Sequence, residues 1–567
     1  MIEQLKAPLS AGLAPLLKLE AAKIHSLLES PKQAGHGQLA LPVFSFAKEM
    51  KKAPPVIAQE FKTVIEAAGL EHLQKVEAVS GFVNFTFDPS FVQKMVFADA
   101  ARGPENLGHQ NRFAGKVATI DYSSPNVAKP MSIGHLRSTV IGQAIAHLAE
   151  TQGYKVQGLN YLGDWGVQFG KLAWAYREWG KEYSFEEDPI DSLFKLYVRF
   201  HQEAEKDPRL EEEGSLMFKR LEDGDEELRK IWKYFVELSL KGYEKQWKRL
   251  GVKHSLVRGE SYYNDRLKGV VQMLKDKGLL ELSEGAQVVR LDEEGMPPCL
   301  ITKKDGASLY ATRDIASAID RVENLNTDLN LYVVGAEQTL HFRQIFRVLE
   351  KAGFSWAKDC HHIAFGMYRF GDLKMSTRKG NVIFLDDVLN KAVEYVLKMI
   401  EEKNPDVEGK EEIAEIVGVG AIVFNDLMND RQKNVDFNWD KILDFNGDSG
   451  PYVQYTAVRC RSLMQKTSLK PDPDTHIVLD SAEEAEVFRH LLLYGDVLSR
   501  SFDHFKPHIL AGYLLELCKL FNQYYAKQRI LDGSEAQIRA RLMLVNSLYV
   551  TLVAGLGVLG IKVPKAM

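Results

Sequence analysis

A chain of 567 residues is too long for one compact core and predicts about three to five domains. Hydrophobic residues at 45% and charged residues at 26% exclude collagen-like, coiled-coil and wholly disordered chains. With 72 Lys and Arg against 77 Asp and Glu, the net charge of −5 gives no whole-chain sign of a nucleic-acid partner, although a local basic groove can sit under such a total.

The N-terminal segment alternates apolar and charged residues, which is not the pattern of a signal peptide. Residues 53–73 have helical apolar spacing behind Pro54 and Pro55. Val83, Phe85 and Phe87 alternate with Asn84 and Thr86, which predicts a strand before a turn at Asp88-Pro89. A polar linker over 103–115 closes a small α+β domain, residues 1–110. Strands are predicted near 117–124, 156–161, 331–335 and 362–365, with helical segments between them, beginning with 134–151. That alternation predicts a doubly wound parallel sheet over 111–392, with its site at the carboxyl ends of the strands. Residues 176–250 are helical and charged. Eleven acidic and six basic residues in 201–230 suit solvated helices inserted between the halves of the sheet. From about 391 no strand is expected. Residues 491–498, 513–530 and 540–556 read as helices of an all-α domain, residues 393–567. The longest apolar run, 548–561, is too short to span a bilayer and is interrupted by Gly555, Gly557 and Gly560. Cys299, Cys360, Cys460 and Cys518 are scattered as reduced thiols are, with no zinc spacing. A soluble cytoplasmic protein is expected.

Two clusters carry chemistry. In DYSSPNVAKPMSIGHLRST, residues 121–139, a strand ends in Ser123, Ser124 and Asn126, and a helix starts near Gly134 and His135. Free N–H groups at a helix start can bind an anion, Gly134 admits a ligand close to the backbone, and His135 can donate to a phosphate. The alternative is an ordinary strand-to-helix turn with a capping serine. In LKMSTRKGN, residues 373–381, Lys374, Arg378 and Lys379 accompany Ser376 and Thr377. Such a loop can clamp a polyphosphate and offset charge on departing pyrophosphate, or it can be a solvated basic loop. No GxxxxGK[ST] phosphate loop is present.

Taken together, SIGH resembles the HIGH motif, and KMSTR the KMSKS motif, of class I aminoacyl-tRNA synthetases. SSPNVAKP, GDWGVQFG (163–170), SLYATRDIA (308–316), GPYVQYTAVR (450–459), GFVNF (81–85) and a terminal VPKAM narrow the likeness to the arginyl-tRNA synthetases, over nearly the whole chain. The resemblance implies ATP-dependent activation of L-arginine and transfer to the terminal adenosine of arginine tRNA, by positioning and electrostatics without a covalent enzyme intermediate. Mg²⁺ would arrive with ATP, and no dedicated protein metal site is expected. A guanidinium favours carboxylates in fork geometry. Tyr310 and Asp314, four apart on one helix face, would hold it together with Glu260. Asn126, with Asp121, Ser124, His135 and Gln338, would meet the amino acid's other end. Ser132, Gly134, His135, Lys374, Met375 and Ser376 would hold ATP, and His341 is read as a packing residue.

Two departures stand out. Ser132 replaces the first histidine of HIGH, and Thr377 replaces the second lysine of KMSKS. Lys129, or Arg378 and Lys379, is expected to supply the missing cation. The resemblance also implies an N-terminal domain reading the tRNA elbow and a C-terminal domain reading the anticodon. Unpaired bases are recognised by stacking and edge hydrogen bonds. Phe82 and Asn84 suit the first role, and Trp439, Tyr452, Gln454, Tyr455, Arg459 and Arg461 the second, although both stripes also read as packing. A monomer whose activation step waits for tRNA is implied. Two rivals remain. A ligase charging a small acceptor would not need the terminal domains, and a non-catalytic paralogue is disfavoured by His135, Lys374, Asn126, Tyr310 and Asp314.

Overall fold

The computed structural model describes residues 2–31, 35–186, 188–304, 309–369, 383–479 and 481–567. The N-terminal part carries α1 (Ile2–Leu17), α2 (Ala21–Leu27), β1 (Leu39–Pro42), α3 (Ala47–Met50), α4 (Pro54–Ala68), β2 (Leu73–Val79), β3 (Phe82–Phe87) and α5 (Pro89–Ala101). Its antiparallel sheet has the order β1-β3-β2. Prolines open α4 and Gly69 ends it in the left-handed region at φ 60°. Asp88 caps α5 by accepting from the N–H groups of Ser90 and Phe91.

The central part begins with β4 (Val117–Asp121), α6 (Ile133–Thr151) and β5 (Lys155–Asn160). The helices α7 (Val167–Trp179), α8 (Pro189–Lys206), α9 (Arg209–Glu222) and α10 (Glu226–Arg249) follow, then β6 (Leu256–Val257) and α11 (Leu267–Asp276). An antiparallel sheet that the sequence pattern did not announce comes next: β7 (Leu280–Ser283), β8 (Ala286–Val289) and β9 (Cys299–Thr302). The chain then forms α12 (Tyr310–Leu325), β10 (Leu329–Tyr332), α13 (Thr339–Lys351), β11 (Cys360–His362) and β12 (Tyr368–Arg369). The parallel sheet has the order β11-β10-β4-β5-β6. The chain winds outward from β4 to β6 and returns to the other side at β10, so the topological switch lies between β4 and β10, the place at the carboxyl edge where sheets of this winding bind their ligands.

The C-terminal part comprises α14 (Leu385–Lys403), α15 (Lys410–Leu427), β13 (Val435–Asp436), α16 (Trp439–Ile442), α17 (Gly450–Gln465), α18 (Ala482–Leu492), α19 (Tyr494–Asp503), α20 (His508–Lys527) and α21 (Glu535–Val558). Two expectations need correction. A short strand does occur beyond residue 391, because β13 pairs in parallel with β12. The apolar run over 491–498 is two helices that meet at Leu493, whose N–H turns back to the His490 carbonyl at 3.0 Å. By length and composition α21 could cross a membrane, but two-thirds of its apolar window is buried (67%), as in the core helix of a helical domain.

Candidate active site

The loop after β4 is built under strain. Ser123 and Ala128 lie in the left-handed region at φ 55° and 64°, which costs a side-chain-bearing residue on the order of 1–3 kcal/mol. The surroundings offset that cost. The Asn160 amide donates to the Ser123 carbonyl at 2.5 Å, and the Trp247 indole donates to Ser123 Oγ at 2.8 Å. The Ala128 N–H donates to Ser239 Oγ at 3.0 Å, while the Tyr243 hydroxyl reaches the Asn126 and Lys129 carbonyls at 2.7 Å each. Ser239, Tyr243 and Trp247 all come from α10. The inserted helices are therefore more than a solvated excursion, since one of them props the loop.

At the start of α6, Ser132 and His135 close on each other. The Ser132 N–H donates to His135 Nδ1 at 2.9 Å, and Ser132 Oγ lies 3.0 Å from the same nitrogen. Burial holds the imidazole pKa below its ordinary value, so the ring is neutral at pH 7. With Nδ1 accepting, the proton resides on Nε2, where it can be donated. Gly134 is exposed beside it, and a side chain there would meet only Ser132 Oγ, at 3.5 Å. Asn126 is exposed and bridges to Gly163, whose added Cβ would stand 2.1 Å from Asn126 Oδ1. The glycine is what lets the two loops touch. Lys129 holds its ammonium 4.8 Å from the centre of the Tyr197 ring.

Lys374, Met375, Ser376, Thr377, Arg378 and Lys379 lie outside the described residues, yet both flanks of that segment are tied to α6. On the entering side, the buried Arg137 of α6 donates to the Gly366 carbonyl at 2.7 Å and the Lys433 carbonyl at 2.8 Å, and pairs with the buried Asp426 at 3.0 Å. It thereby pins both strands of the β12–β13 ribbon. On the leaving side, Ile133 N–H donates to the Ile383 carbonyl at 3.0 Å and Leu385 N–H to the Met131 carbonyl at 2.9 Å. The described residues on both sides of the second motif are thus tied to the helix that bears the first.

A second cluster is acidic. Glu260, just past β6, and Asp314, one turn into α12, are largely buried, and Tyr310 at the start of that helix is exposed. Burial is the main cause that raises the Glu260 carboxyl to about 7; Arg313 opposes the rise, and Asp314 and Asp164 add to it. Arg313 Nη1 lies 3.5 Å from Glu260 Oε2. His341 of α13 sets Nε2 2.6 Å from Asp314 Oδ2, so it is a partner of the acidic cluster and not the packing residue its sequence suggested. Asp164, after β5, accepts from the Ser261 N–H and hydroxyl at 2.8 and 2.6 Å and so fixes the turn bearing Glu260. Asp164 and Arg313 lie inside quoted motifs and His341 was read as packing, but nothing local shows which groups they face. Their partners are brought by other segments.

Other expected site residues are committed elsewhere. Asp121 is buried, accepting from Arg321 at 2.7 Å and from Ser124 Oγ at 3.0 Å, and Ser124 Oγ also accepts from the Tyr161 N–H at 3.0 Å. These two brace the ends of β4 and β5, with each Asp121 carboxylate oxygen already accepting one hydrogen bond. Gln338 is exposed where α13 begins. In the C-terminal part Gln454 is fully buried, its amide on the Ile416 and Lys562 carbonyls, and Arg461 binds the Pro564 and Lys565 carbonyls; both hold the fold instead of facing RNA. Tyr455 is exposed under the Arg459 guanidinium, 4.9 Å away, and both line a cavity of about 460 Å³ with Met399 and Met567. Tyr452 is partly buried and accepts from Asn522 at 2.7 Å. Trp439 packs on Phe437 with the Lys391 ammonium 5.1 Å from its ring. In the N-terminal part Phe82 and Asn84 border a cavity of about 340 Å³ with His36. Among the described residues, no group of three or more His, Cys, Asp or Glu is arranged to hold a metal.

Comparison with known proteins gives a family match for each part of the chain. The family described as tRNA synthetases class I (R), catalytic domain, matches residues 102–439; the DALR anticodon binding domain matches 453–567; the arginyl tRNA synthetase N terminal domain matches 3–87. The chain is 44% identical over 555 residues to an arginine–tRNA ligase of Clostridium botulinum and 46% identical over 549 residues to that of Lactobacillus johnsonii, covering 97% of each chain in both cases. Among solved structures, Thermus thermophilus arginyl-tRNA synthetase matches with a TM-score of 0.83 at 26% identity, over 100% of both chains. The Plasmodium falciparum enzyme shares the fold at a TM-score of 0.80 and 22% identity, over 100% of this chain and 98% of its own.

Proposed function

The chain belongs to the arginyl-tRNA synthetases of class I and is an arginine–tRNA ligase, and on that premise we propose how its own residues divide the reaction. ATP is the activating substrate, as in class I synthetases generally. The observation that carries the assignment of roles is the pairing of a neutral, Ser132-bound His135 at the start of α6, after β4, with an acidic cluster of Glu260 and Asp314 built on the segments after β6 and β9 of the same domain.

The substrate's guanidinium takes Glu260 and Asp314, with Tyr310 over it, because a planar fork satisfies carboxylates that an ammonium would leave partly unpaired. Asn126 and Gln338, both exposed, receive the α-amino and carboxylate end. The arginine carboxylate oxygen attacks the α-phosphorus of ATP in line; the new O–P bond forms as the bond to pyrophosphate breaks. His135 Nε2 donates to the phosphate, Gly134 and Ser132 let the nucleotide lie close to the start of α6, and Lys129 faces the developing charge. Lys374, Met375, Ser376, Arg378 and Lys379 hold ATP and offset the charge on departing pyrophosphate, a role supported by the anchoring of the described residues on both sides of them to α6. The 2′-OH of the terminal adenosine then attacks the adenylate carbonyl, forming the ester while AMP departs. Mg²⁺ travels with ATP. Asp121 and Ser124 serve as braces.

For the RNA, Phe82 and Asn84 in residues 1–110 take an elbow base, and Tyr455, Arg459, Tyr452 and Trp439 in 393–567 take the anticodon, while residues 111–392 do the chemistry. The reading is supported by cavities that border Phe82 and Tyr455 and by aromatic-cation pairs suited to unpaired bases. The enzyme acts as a cytoplasmic monomer, and bound tRNA completes the activation site. The test is ATP–pyrophosphate exchange with arginine, lysine or citrulline, each with and without arginine tRNA. Exchange with arginine alone, and only with tRNA, is expected. Exchange without tRNA would remove the tRNA requirement, and none under any condition with tRNA still bound would favour a non-catalytic paralogue.

A further inference from the structure

The inserted helix α8 buries Leu193, Phe194, Leu196, Tyr197 and Phe200, at the spacing of an ordinary packing face. Two residues of that face reach the segment that leads into α6. Phe194 meets Phe384 edge-on, 5.8 Å between ring centres at 88°, and Phe384 bridges to Ser132. Tyr197, one turn further along, is 7% exposed, and its ring centre lies 4.8 Å from Lys129 Nζ. The insertion therefore holds Lys129 at both ends. The Lys129 carbonyl accepts from the Tyr243 hydroxyl of α10 at 2.7 Å, and the ammonium lies over the ring supplied by α8. Burial is the main cause that lowers the His135 pKa, and the Lys129 charge lowers it further, so the held ammonium stands within electrostatic reach of the proton donor.

We propose that Tyr197 is a positioning residue for the activation step, its ring face holding the Lys129 ammonium where negative charge develops on the nucleotide. The inference rests on the reading of Lys129 as the cation that faces that charge. A lysine carries its charge on a flexible four-carbon stem, so fixing the carbonyl alone does not fix the ammonium. The ring supplies the second fixed point. Its chemistry suits the task. A carboxylate in the same place would also hold the ammonium, but it would offset the charge that the phosphates need. A ring face attracts a cation through its quadrupole, most strongly where water is excluded, and leaves that charge whole. It also leaves the ammonium N–H groups able to donate to phosphate oxygens. A cation aimed in advance needs no reorganisation when charge develops beside it. Tyr197 acts only through Lys129, so its contribution must vanish when Lys129 is removed.

The test is ATP–pyrophosphate exchange by the full chain with saturating arginine and arginine tRNA, comparing rings at position 197. Tyr197→Phe keeps the ring face and is expected to stay within about 3-fold of wild type. Phenylalanine with increasing ring fluorination, introduced at position 197 by nonsense suppression, keeps the shape and the fold while weakening the negative face. The exchange rate is expected to fall stepwise along that series, by about 10-fold for the most fluorinated ring, with KM for arginine unchanged. In the Lys129→Ala background the same series is expected to be flat. A rate indifferent to fluorination overturns the proposal, and so does a fall of equal size with and without Lys129. A Tyr197→Phe rate as low as that of the most fluorinated ring assigns the effect to the hydroxyl and overturns it as well. Exchange by Lys129→Ala itself within a few-fold of wild type is a different failure, that of the reading of Lys129, and is told apart because it appears with Tyr197 intact.

Discussion

The pH dependence of arginine use tests the acidic pocket directly. Glu260 is raised from an ordinary 4.5 to about 7, chiefly by burial. A carboxyl with a raised folded-state pKa favours the fold most below its unfolded value, and that contribution is lost as pH rises through about 7. Above pH 7 the free protein therefore carries a buried carboxylate costing on the order of 3 kcal/mol. An arriving guanidinium binds only the ionised form, so arginine affinity must rise across the same interval. With a midpoint near 7, about one-eleventh of the enzyme is competent at pH 6, and kcat/KM for arginine is about 10-fold below its alkaline plateau. Charging at saturating ATP and tRNA between about pH 6 and 8 should give a logarithmic slope near +1 on the acid side and a plateau above. Glu260→Gln should be low and flat, and His341→Gln separates any contribution of the imidazole on Asp314. A wild-type profile with no slope over this range, or an undiminished slope in Glu260→Gln, would refute the reasoning.

Arg137→Met strands Asp426 in the core and should cost about 3–5 kcal/mol in urea denaturation, with part of the loss recovered by adding Asp426→Leu. Gly163→Ala forces Asn126 aside and should lower kcat/KM for arginine by about 10–100-fold with little change in melting temperature. Lys129→Ala should slow pyrophosphate exchange by about 100-fold or more; a rate within a few-fold of wild type would transfer its role to Arg378 or Lys379. Phe82→Ala should weaken tRNA binding by the loss of one stacked base, about 1–3 kcal/mol, without altering KM for arginine.

What the sequence could reveal follows the range of the forces that leave a mark on it. The segment from β4 to α6 was legible because an apolar run, a polar turn and a helical repeat follow one another within 40 residues. The strand expected over 331–335 is β10, Leu329–Tyr332, displaced because Val333 and Val334 extend the apolar run past the last pair with β4. Strands β7 to β9 went unseen because each is four residues long, and the solvent-facing Glu281, Leu282 and Leu300 break the alternation that marks a half-buried strand. Site residues divide in the same way. His135, Tyr310 and Asp314 stand in contiguous motifs, whereas Asp121 looked available because its partner Arg321 is 200 positions away, and His341 looked inert because Asp314 lies 27 positions before it.

The helical insertion shows why such distant partners matter to function. Composition alone made it a solvated excursion, and α9 fits that description with two fully buried residues, Gly214 and Leu221. The last helix does not. On α10, Ser239, Tyr243 and Trp247 are spaced four apart, so they share one face, and that face lies on the loop carrying Ser123, Asn126 and Lys129. Three hydroxyl or indole groups thereby satisfy backbone and side-chain atoms that a left-handed turn leaves unpaired by regular structure. The arrangement gives Asn126 and Lys129 fixed backbone positions, with the Asn126 side chain exposed and the Lys129 ammonium over the Tyr197 ring. A loop fixed only by its own residues would spend its few polar side chains on itself. By taking the bonds from a helix more than 100 residues downstream, this one leaves the Asn126 side chain exposed while its backbone is held.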